Sequence, residues 1–381
     1  MHRLRSILSR GGVLWAVLLL LILFTWTVSA GAGTTTYLPY VSKQPTPTPT
    51  LTPTPAPPLP ADYSVSYYVQ TNSAQAAYDK GCQLGVTDLN LSGAQDRFVV
   101  LDFGQPWYDD YGTLGTLIFR IPPDTNFTFV SISTIGELAK AFGNGYWNCT
   151  GSDKGSHLTM GIGTSNWLGT DPPVDMKDPT RVYNHGKQWA QMVLDVNNWL
   201  NANGRASQVY AAGANDMELS WATSSLTRTW VDAFNDYDNG TAVYYNYGAC
   251  DGCPQSYYAG INSWTGGKSY SWDIDDVWYI SWGIQPAWTV PEIYLSTGAN
   301  ARQWQTLSEY GARQKGSRID YSGVMTQMGS CQQRGGCTFT SSDTANTPQE
   351  GWSQLWNETY DEPLTRMIIL RWMTDIRYWV K

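Results

Sequence analysis

The sequence predicts a parallel α/β protein, and within that class a (β/α)8 barrel of the TIM type. Short apolar runs alternate with amphipathic helical stretches over about 320 residues, a normal size for one such barrel. Near-continuous apolar runs are typical of strands buried on both faces, and their alternation with helices indicates a parallel sheet. The alternative is an open doubly wound parallel sheet. No GxGxxG motif follows a predicted strand, so its dinucleotide-binding version has little support.

Six apolar runs are predicted strands because they are rich in β-branched and aromatic residues. They lie at Arg97–Phe103, His157–Gly163, Gln208–Gly213, Ala242–Tyr247, Val277–Trp282 and Arg318–Val324. Two further strands are expected within Leu114–Ile121 and Met367–Val380. Together they would supply the eight strands that close a barrel.

Six stretches between these runs have the spacing of helices. They lie at Ser73–Leu84, Thr134–Tyr146, Gly186–Asn201, Leu226–Tyr237, Ala299–Tyr310 and Pro348–Tyr360. In the third, the apolar residues Trp189, Val193, Val196 and Leu200 recur at helical spacing between polar residues. This pattern predicts an amphipathic helix that buries one face.

The N-terminus has the pattern of an export signal. A basic segment, residues 1–12, precedes the apolar stretch Val13–Val28, and small residues allow cleavage after Ala30. We therefore expect residues 1–32 to be a signal peptide or, if uncleaved, a signal anchor whose transmembrane helix is the protein's one contact with the membrane. Both alternatives place the remaining chain outside the cytoplasm, in the extracellular space or at the cell surface.

A Thr/Pro-rich linker follows the leader. Its core, residues 44–60, reads QPTPTPTLTPTPAPPLP. Proline fixes φ and lacks a backbone donor, so the segment is predicted to be disordered and extended, like polyproline II. The predicted organisation is a leader (1–32), a disordered linker (33–61) and a single globular α/β barrel domain (62–381).

Composition favours a carbohydrate ligand and excludes nucleic acid. The chain has 19 Trp and 24 Tyr, only 15% charged residues and a formal net charge of −8. Trp and Tyr combine an apolar body with a polar group, which suits wet clefts and sugar-stacking platforms. An acidic chain without a Lys/Arg run beyond the leader repels a phosphate backbone. No motif indicates a cofactor, and the sequence does not give the oligomeric state.

Six cysteines in a chain with an export signal indicate disulfides. Cys250 and Cys253 are close in sequence, as are Cys331 and Cys337. If these pair locally, Cys82 and Cys149 remain for a third bridge, although other pairings are possible. A metal or redox CxxC site is disfavoured because the chain has one CxxC and only three histidines.

Three carboxylates are the candidate catalytic residues. Active residues of parallel α/β proteins follow the C-terminal ends of strands. Asp216 and Glu218 follow the third predicted strand at positions i and i+2, so both are expected to face the barrel mouth. Asp102, at the end of the first, is the next candidate. The structural alternative is that these acids pair with a buried arginine or accept backbone hydrogen bonds.

Five residues near the predicted strand ends are candidates for substrate binding, by stacking or, for an acid, by completing a carboxylate pair. They are Trp167, Trp221, Tyr245, Trp282 and Glu292. Other chemistries are disfavoured, because the chain has neither the GxSxG motif of a serine hydrolase nor the HExxH motif of a zinc hydrolase. No metal site is predicted.

In outline, residues 90 to 325 resemble a secreted bacterial glycoside-hydrolase-like barrel of an uncharacterised family. The resemblance rests on the strand ending near Asp102, on Asp216-Met217-Glu218, on the Trp-rich segment Tyr279–Trp288, and on Gln303-Trp304. The acidic triplet is similar to those of barrel lysozymes and chitinase-like enzymes, but Ala211 and Ala214 stand where the first two acids of the chitinase DxxDxDxE motif would be.

This resemblance implies a hydrolase, a glycosidase that cleaves extracellular or cell-wall polysaccharide with Glu218 as general acid and with Asp102 or Asp216 ionised. The alternative is a non-catalytic extracellular module that binds glycan or protein. The distance between cleft carboxyl groups separates the two, because hydrolysis requires about 5–5.5 Å or about 6.5–9.5 Å.

Overall fold

A computed structural model describes residues 59–379, apart from residues 61, 122–125, 169–175, 262–263, 267–269 and 340–341. The predicted leader and nearly all of the predicted linker lie outside the described residues. Within the described part, no helix is both long and apolar enough to cross a membrane.

Eight parallel strands form a barrel, as the sequence predicted. They are β1 (Ser64–Tyr68), β2 (Asp96–Asp102), β3 (His157–Ser165), β4 (Val209–Asp216), β5 (Tyr244–Asn246), β6 (Ala287–Thr289), β7 (Gly323–Thr326) and β8 (Trp372–Tyr378). From β1 to β6, each strand pairs with the next one in the chain. β8 pairs with β1 on one side and with β7 on the other. The remaining seam closes just beyond β6, where Glu292 forms a parallel bridge with Met325 of β7.

Helices alternate with these strands on the outside of the barrel. They are α1 (Ala74–Asn90), α2 (Ile132–Cys149), α3 (Pro179–Ala202), α4 (Ser224–Tyr237), α5 (Ile274–Trp278), α6 (Ala299–Tyr310), α7 (Met328–Gln333) and α8 (Pro348–Asp361). A three-stranded antiparallel sheet is inserted between β2 and α2. Its strands are Gln105–Tyr108, Leu114–Ile118 and Thr128–Ser131.

Side-chain alternation along the strands separates two cores. In β2, Val99 and Leu101 pack outward against the helices, whereas Phe98 and Val100 pack inside the barrel. Because alternate residues share a face, Asp102 is carried inward at the mouth. The same parity carries Ala212, Ala214 and then Asp216 inward on β4.

Glycines on β3 make room for a side chain that crosses the barrel interior. A Cβ atom at Gly163 would lie 3.0 Å from Tyr247 Oη and 3.2 Å from Asp102 Cα. The space that this glycine leaves admits Tyr247, whose hydroxyl donates to the Thr164 carbonyl at 3.1 Å. The glycine therefore places a phenol beside Asp102.

Four of the six apolar runs contain barrel strands at nearly the expected positions, and the Met367–Val380 segment contains β8. All six predicted helices are confirmed. The run Arg318–Val324 overlaps β7 only at its end. Two strands, β1 and β6, were missed because they are five and three residues long and include polar residues.

Two predicted barrel strands were wrong. Val277–Trp282 is helical, forming the end of α5 and a π-helical turn at Tyr279–Gly283. Asp273 begins this helix through a capping box with Asp276, a local signal that outweighs the apolar β-like composition that follows. Leu114–Ile118 is a strand, but it pairs antiparallel within the inserted sheet and does not join the barrel.

Two of the three predicted disulfides are confirmed. Cys82–Cys149 joins α1 to α2, and Cys250–Cys253 closes a tight turn after β5. The helices α1 and α2 approach closely because glycines face the partner backbone: a Cβ at Gly81 would lie 2.0 Å from the Phe142 carbonyl oxygen. Both disulfides are compatible with an oxidising compartment.

The predicted third disulfide was wrong, since Cys331 and Cys337 are not joined. Cys331 Sγ is buried 3.4 Å from Thr344 Oγ1. Cys337 Sγ instead contacts the Met328 carbonyl at 3.6 Å. The turn between them contains Gly335 and Gly336, both with positive φ, and directs the two sulfurs to different neighbours.

Candidate active site

Three carboxylates converge at the C-terminal end of the barrel. Asp216 ends β4, Glu218 follows it, and Glu292 lies just beyond β6. One oxygen from each lies within 4.8 Å of the others. Asp216 and Glu292 are buried and Glu218 is partly exposed. The spacing suits either a proton-transfer site or three ligands of a metal ion.

Asn166, just beyond β3, fixes the loop that carries two of these acids. Its Oδ1 accepts from the Glu218 backbone N–H at 2.9 Å, and its Nδ2 donates to the Glu218 carbonyl at 3.0 Å. Its own backbone N–H donates to the Asp216 carbonyl at 3.0 Å. A buried amide that bonds both sides of one peptide segment leaves the loop little freedom, so the Glu218 backbone is held in position.

The loop after β5 connects the acids of β4 with the acid beyond β6. A Cβ atom at Gly248 would lie 2.4 Å from both the backbone nitrogen and the carbonyl oxygen of Met217, so this position requires glycine. The Gly248 carbonyl accepts from the Glu292 N–H at 3.2 Å. The next residue, Ala249, donates its backbone N–H to the Glu218 carboxylate. One short loop thus sets the spacing of Glu218 and Glu292.

A cleft of about 740 Å³ opens beside the acids. Asp102, Asp216 and Tyr68 contribute to its lining at the barrel mouth. Its aromatic lining comes from the inserted sheet and from the loops after β3 and β4, and comprises Trp107, Phe119, Phe127, Trp167 and Trp221. Acids with flanking aromatic rings are a suitable lining for a sugar chain.

Burial and a neighbouring charge keep Glu218 protonated at neutral pH. Loss of solvent is the main cause and the Asp251 carboxylate the second, and together they raise the pKa of Glu218 to about 8. The Ala249 N–H opposes this shift in pKa because it stabilises the ionised form. Glu218 can therefore act as a proton donor.

Glu292 and Asp216 differ in their hydrogen-bond donors. Burial, followed by nearby carboxylates, raises the pKa of each well above its usual range. Tyr294 donates its hydroxyl to Glu292 Oε1 at 2.7 Å, which favours the ionised form of Glu292. Asp216 Oδ1 has no hydrogen-bond partner among the described residues. Of these two acids, Glu292 is the one whose environment better supports a negative charge.

Asp102 lines the same cleft from β2. Burial is the main cause that raises its pKa to about 7, and the Gly104 N–H, followed by the adjacent Tyr247 hydroxyl, opposes the shift. The Gly104 N–H donates to Oδ1 at 2.8 Å. Asp102 also raises the pKa of Asp216, so the charges of the two acids are linked.

The predicted binding residues divide into two groups. Trp167 and Trp221 line the cleft as a tilted pair with ring centroids 5.4 Å apart, and Trp167 is 43% exposed. Glu292 lies with Asp216 and Glu218, but of these three acids only Asp216 lines the cleft itself. Tyr245 and Trp282 do not line the cleft, so their expected position at the mouth is corrected.

Tyr245 and Trp282 are displaced for different reasons. Tyr245 lies inside the barrel near its N-terminal end, where it packs on Phe98. Trp282 belongs to the π-helical turn in the outer layer, and its indole donates to Ser317 Oγ at 2.9 Å. Trp282 was expected at the barrel mouth only because Val277–Trp282 was predicted to be a strand. In the helical conformation it does not lie at a strand end.

Several residues of the site were not predicted from the sequence. Tyr68, Trp107 and Arg334 line the cleft, and Asn166, Asp251 and Tyr294 act on the acids. The position of Tyr68 at the end of β1 would have indicated it, had that short strand been recognised. Tyr294 lies two residues after Glu292, and this spacing was the signal for it. The others lie on loops or on the inserted sheet, and only the folded chain brings them to the site.

Comparison with known proteins finds weak structural similarity and no family. Similar solved structures include an endo-1,4-beta-mannanase from Rhizomucor miehei, with 10% identity and a TM-score of 0.36 over 84% of this chain and 86% of that chain. An engineered protein gives 10% identity and a TM-score of 0.34 over 83% and 70%. No protein-family model and no curated protein matches the sequence. The functional argument therefore rests on the site itself.

Proposed function

We propose that this chain is an exported glycoside hydrolase that cleaves extracellular or cell-wall polysaccharide by carboxylate acid–base catalysis. The observation that carries the proposal is the spacing of the acids, whose oxygens lie within 4.8 Å beside an aromatic cleft. Retaining glycosidases hold their two carboxyl groups about 5–5.5 Å apart, whereas inverting enzymes leave room for a water between them. Oxygens within 4.8 Å of one another are closer than the about 6.5–9.5 Å of an inverting pair, so the proposal includes a retaining mechanism.

Glu218 is the proposed general acid and Glu292 the proposed nucleophile. The Glu218 proton passes to the glycosidic oxygen as the bond from that oxygen to the anomeric carbon breaks. The Glu292 carboxylate attacks the anomeric carbon and forms a glycosyl ester. Glu218, now ionised, removes a proton from water, and that water displaces Glu292. The Tyr294 hydroxyl supports the charge that Glu292 carries before and after the ester.

Asp216 and Asp102 then control the charge of the site. Asp216 is close to both reacting acids, and in its neutral form it leaves the cluster with one negative charge to stabilise. This arrangement differs from the prediction that Asp102 or Asp216 is the ionised partner. Glu292 is preferred to Asp216 because it has a hydroxyl donor at 2.7 Å, whereas Asp216 Oδ1 has none. It is preferred to Asp102 because Asp102 is not one of the three acids whose oxygens lie within 4.8 Å of one another.

A hydrolysis screen of plant, fungal and bacterial polysaccharides tests the proposal. Glu218→Gln should lower kcat by at least about 10²-fold, the low end of general acid–base contributions. The matched control is Glu137→Gln on α2, where the side chain is 68% exposed and belongs neither to the cleft lining nor to the acid cluster. Proton NMR of the first product should show retained anomeric configuration.

Three outcomes would reject the proposal. Unchanged turnover in Glu218→Gln would remove the general acid. Absence of hydrolysis together with glycan-array binding would favour the non-catalytic module. A chelator should leave hydrolysis unchanged, and its loss on chelation would assign the three acids to a metal ion.

A further inference from the structure

A second, apolar depression lies at the N-terminal end of the barrel, opposite the acids. We call it the basal groove. It has a volume of about 370 Å³, and its aromatic wall consists of Tyr245, Trp288, Tyr321 and Trp372. Ile368 and Ile369 also line it, and they are 71% and 64% exposed. Two adjacent exposed isoleucines beside an aromatic wall form the kind of apolar patch that marks a binding surface.

The chain leading from the linker arrives at this same end. Ser64, the first residue of β1, pairs with Thr374 of β8, so the residues before Ser64 leave the barrel near the level of Trp372. Two ion pairs place this part of the chain. Arg97 binds Asp62 at 3.4 Å, and the preceding residue, Asp96, pairs with Arg371, which lines the basal groove. The described chain therefore begins beside the groove.

The sequence just before that point has the chemistry that an aromatic groove binds. Residues 44–58 alternate Pro with Thr and contain no charged residue. Proline-rich segments dock on aromatic grooves, and their restricted φ lowers the entropy lost on binding. At about 3.1 Å per residue in polyproline II, the segment spans about 45 Å, enough to cross the end of a barrel.

We propose that residues 44–58 bind the basal groove of their own chain. Because the segment is tethered, binding is intramolecular and benefits from a high effective concentration. Docking at this end of the barrel would direct the acid cleft away from the linker. The linker would then orient the barrel as well as hold it at a distance. This inference is independent of the proposed hydrolysis.

Photo-crosslinking in the full exported chain tests the proposal. A benzoylphenylalanine at position 369 should cross-link to residues 44–58 of the same molecule, as identified by mass spectrometry of the monomer band. The same probe at position 258, where Tyr258 is 81% exposed in the loop after β5, is the control and should not reach this segment. Absence of cross-links from position 369, or cross-links to a second copy, would overturn the proposal.

A second variant separates binding from mere proximity. Replacing Pro45, Pro47, Pro49, Pro53 and Pro55 by Ser keeps the linker length and removes the apolar rings. The cross-link yield from position 369 should fall severalfold, because a flexible polar linker no longer occupies the groove. An unchanged yield would show that tethering alone brings the segment there, and would refute the proposal.

Discussion

Removal of the Cys82–Cys149 disulfide should lower the free energy of unfolding more than removal of Cys250–Cys253. The first bridge spans 67 residues of sequence and the second spans 3. In the chain-entropy description, a bridge stabilises by restricting the unfolded chain, and the effect grows with the logarithm of loop length. The expected losses are about 4 kcal/mol for Cys82–Cys149 and about 2 kcal/mol for Cys250–Cys253.

The comparison uses two double variants, Cys82→Ala with Cys149→Ala and Cys250→Ala with Cys253→Ala. Urea unfolding followed by tryptophan fluorescence gives the midpoint and slope for each. Packing acts against the expected order, because Cys250 and Cys253 are buried whereas Cys82 and Cys149 are partly exposed. Truncation of the short bridge therefore adds a cavity cost to its loss. A loss for Cys250–Cys253 that equals or exceeds the loss for Cys82–Cys149 would refute the entropic reasoning.

Three further measurements test the core and the site. Burial lowers the pKa of His185 to about 4, below its usual 6.5. The neutral ring therefore stabilises the fold above about pH 6.5, and this stability is lost as the pH falls toward 4. The free energy of unfolding of His185→Gln in urea should depend less on pH than that of the parent, and identical pH dependence would contradict this. Tyr294→Phe removes the hydroxyl donor to Glu292 and raises the pKa of that acid. The acid limb of the pH profile of kcat/KM should therefore move up by about one pH unit or more. An unchanged acid limb would exclude Glu292 as the ionised partner. Trp167→Ala should raise KM and leave kcat nearly unchanged, whereas Tyr111→Ala, at a 96% exposed position, should change neither. Equal effects of the two variants would contradict a role for Trp167 in substrate binding.

The barrel was predictable because its longer strands carry a strong local signal. β2, β3 and β4 are seven to nine residues long and almost wholly buried. The short strands β1 and β6 lack this signal, since they are fixed by pairing with their neighbours rather than by their own composition. The segment after Asp273 was misassigned because a capping box sets its conformation while its composition favours a strand.

The site was predictable only as far as strand ends reveal it. Asp102 and Asp216 project inward because strand alternation fixes their direction. Glu292 was named for its place after a Trp-rich loop, and the structure brings it to the other acids through the bridge to Met325. Tyr294 lies two residues after Glu292 and bonds it locally, so that spacing was available in the sequence. Asp251 acts on Glu218 through close approach between loops, which no sequence spacing encodes. The pKa of Glu218 depends on that approach and so could not be derived from the chain alone.

The Cys250–Cys253 bridge has a practical consequence for producing this protein. It begins one residue after Ala249, and the Gly248–Ala249 segment bonds both Glu218 and Glu292. The choice of expression host therefore bears on the proposed hydrolysis separately from yield. A chain made in a reducing cytosol would lack the Cys250–Cys253 disulfide next to that segment while retaining the strand pairing of the barrel. Folded, soluble material from such a host is expected to have a low active fraction, and oxidative refolding or periplasmic expression should restore it.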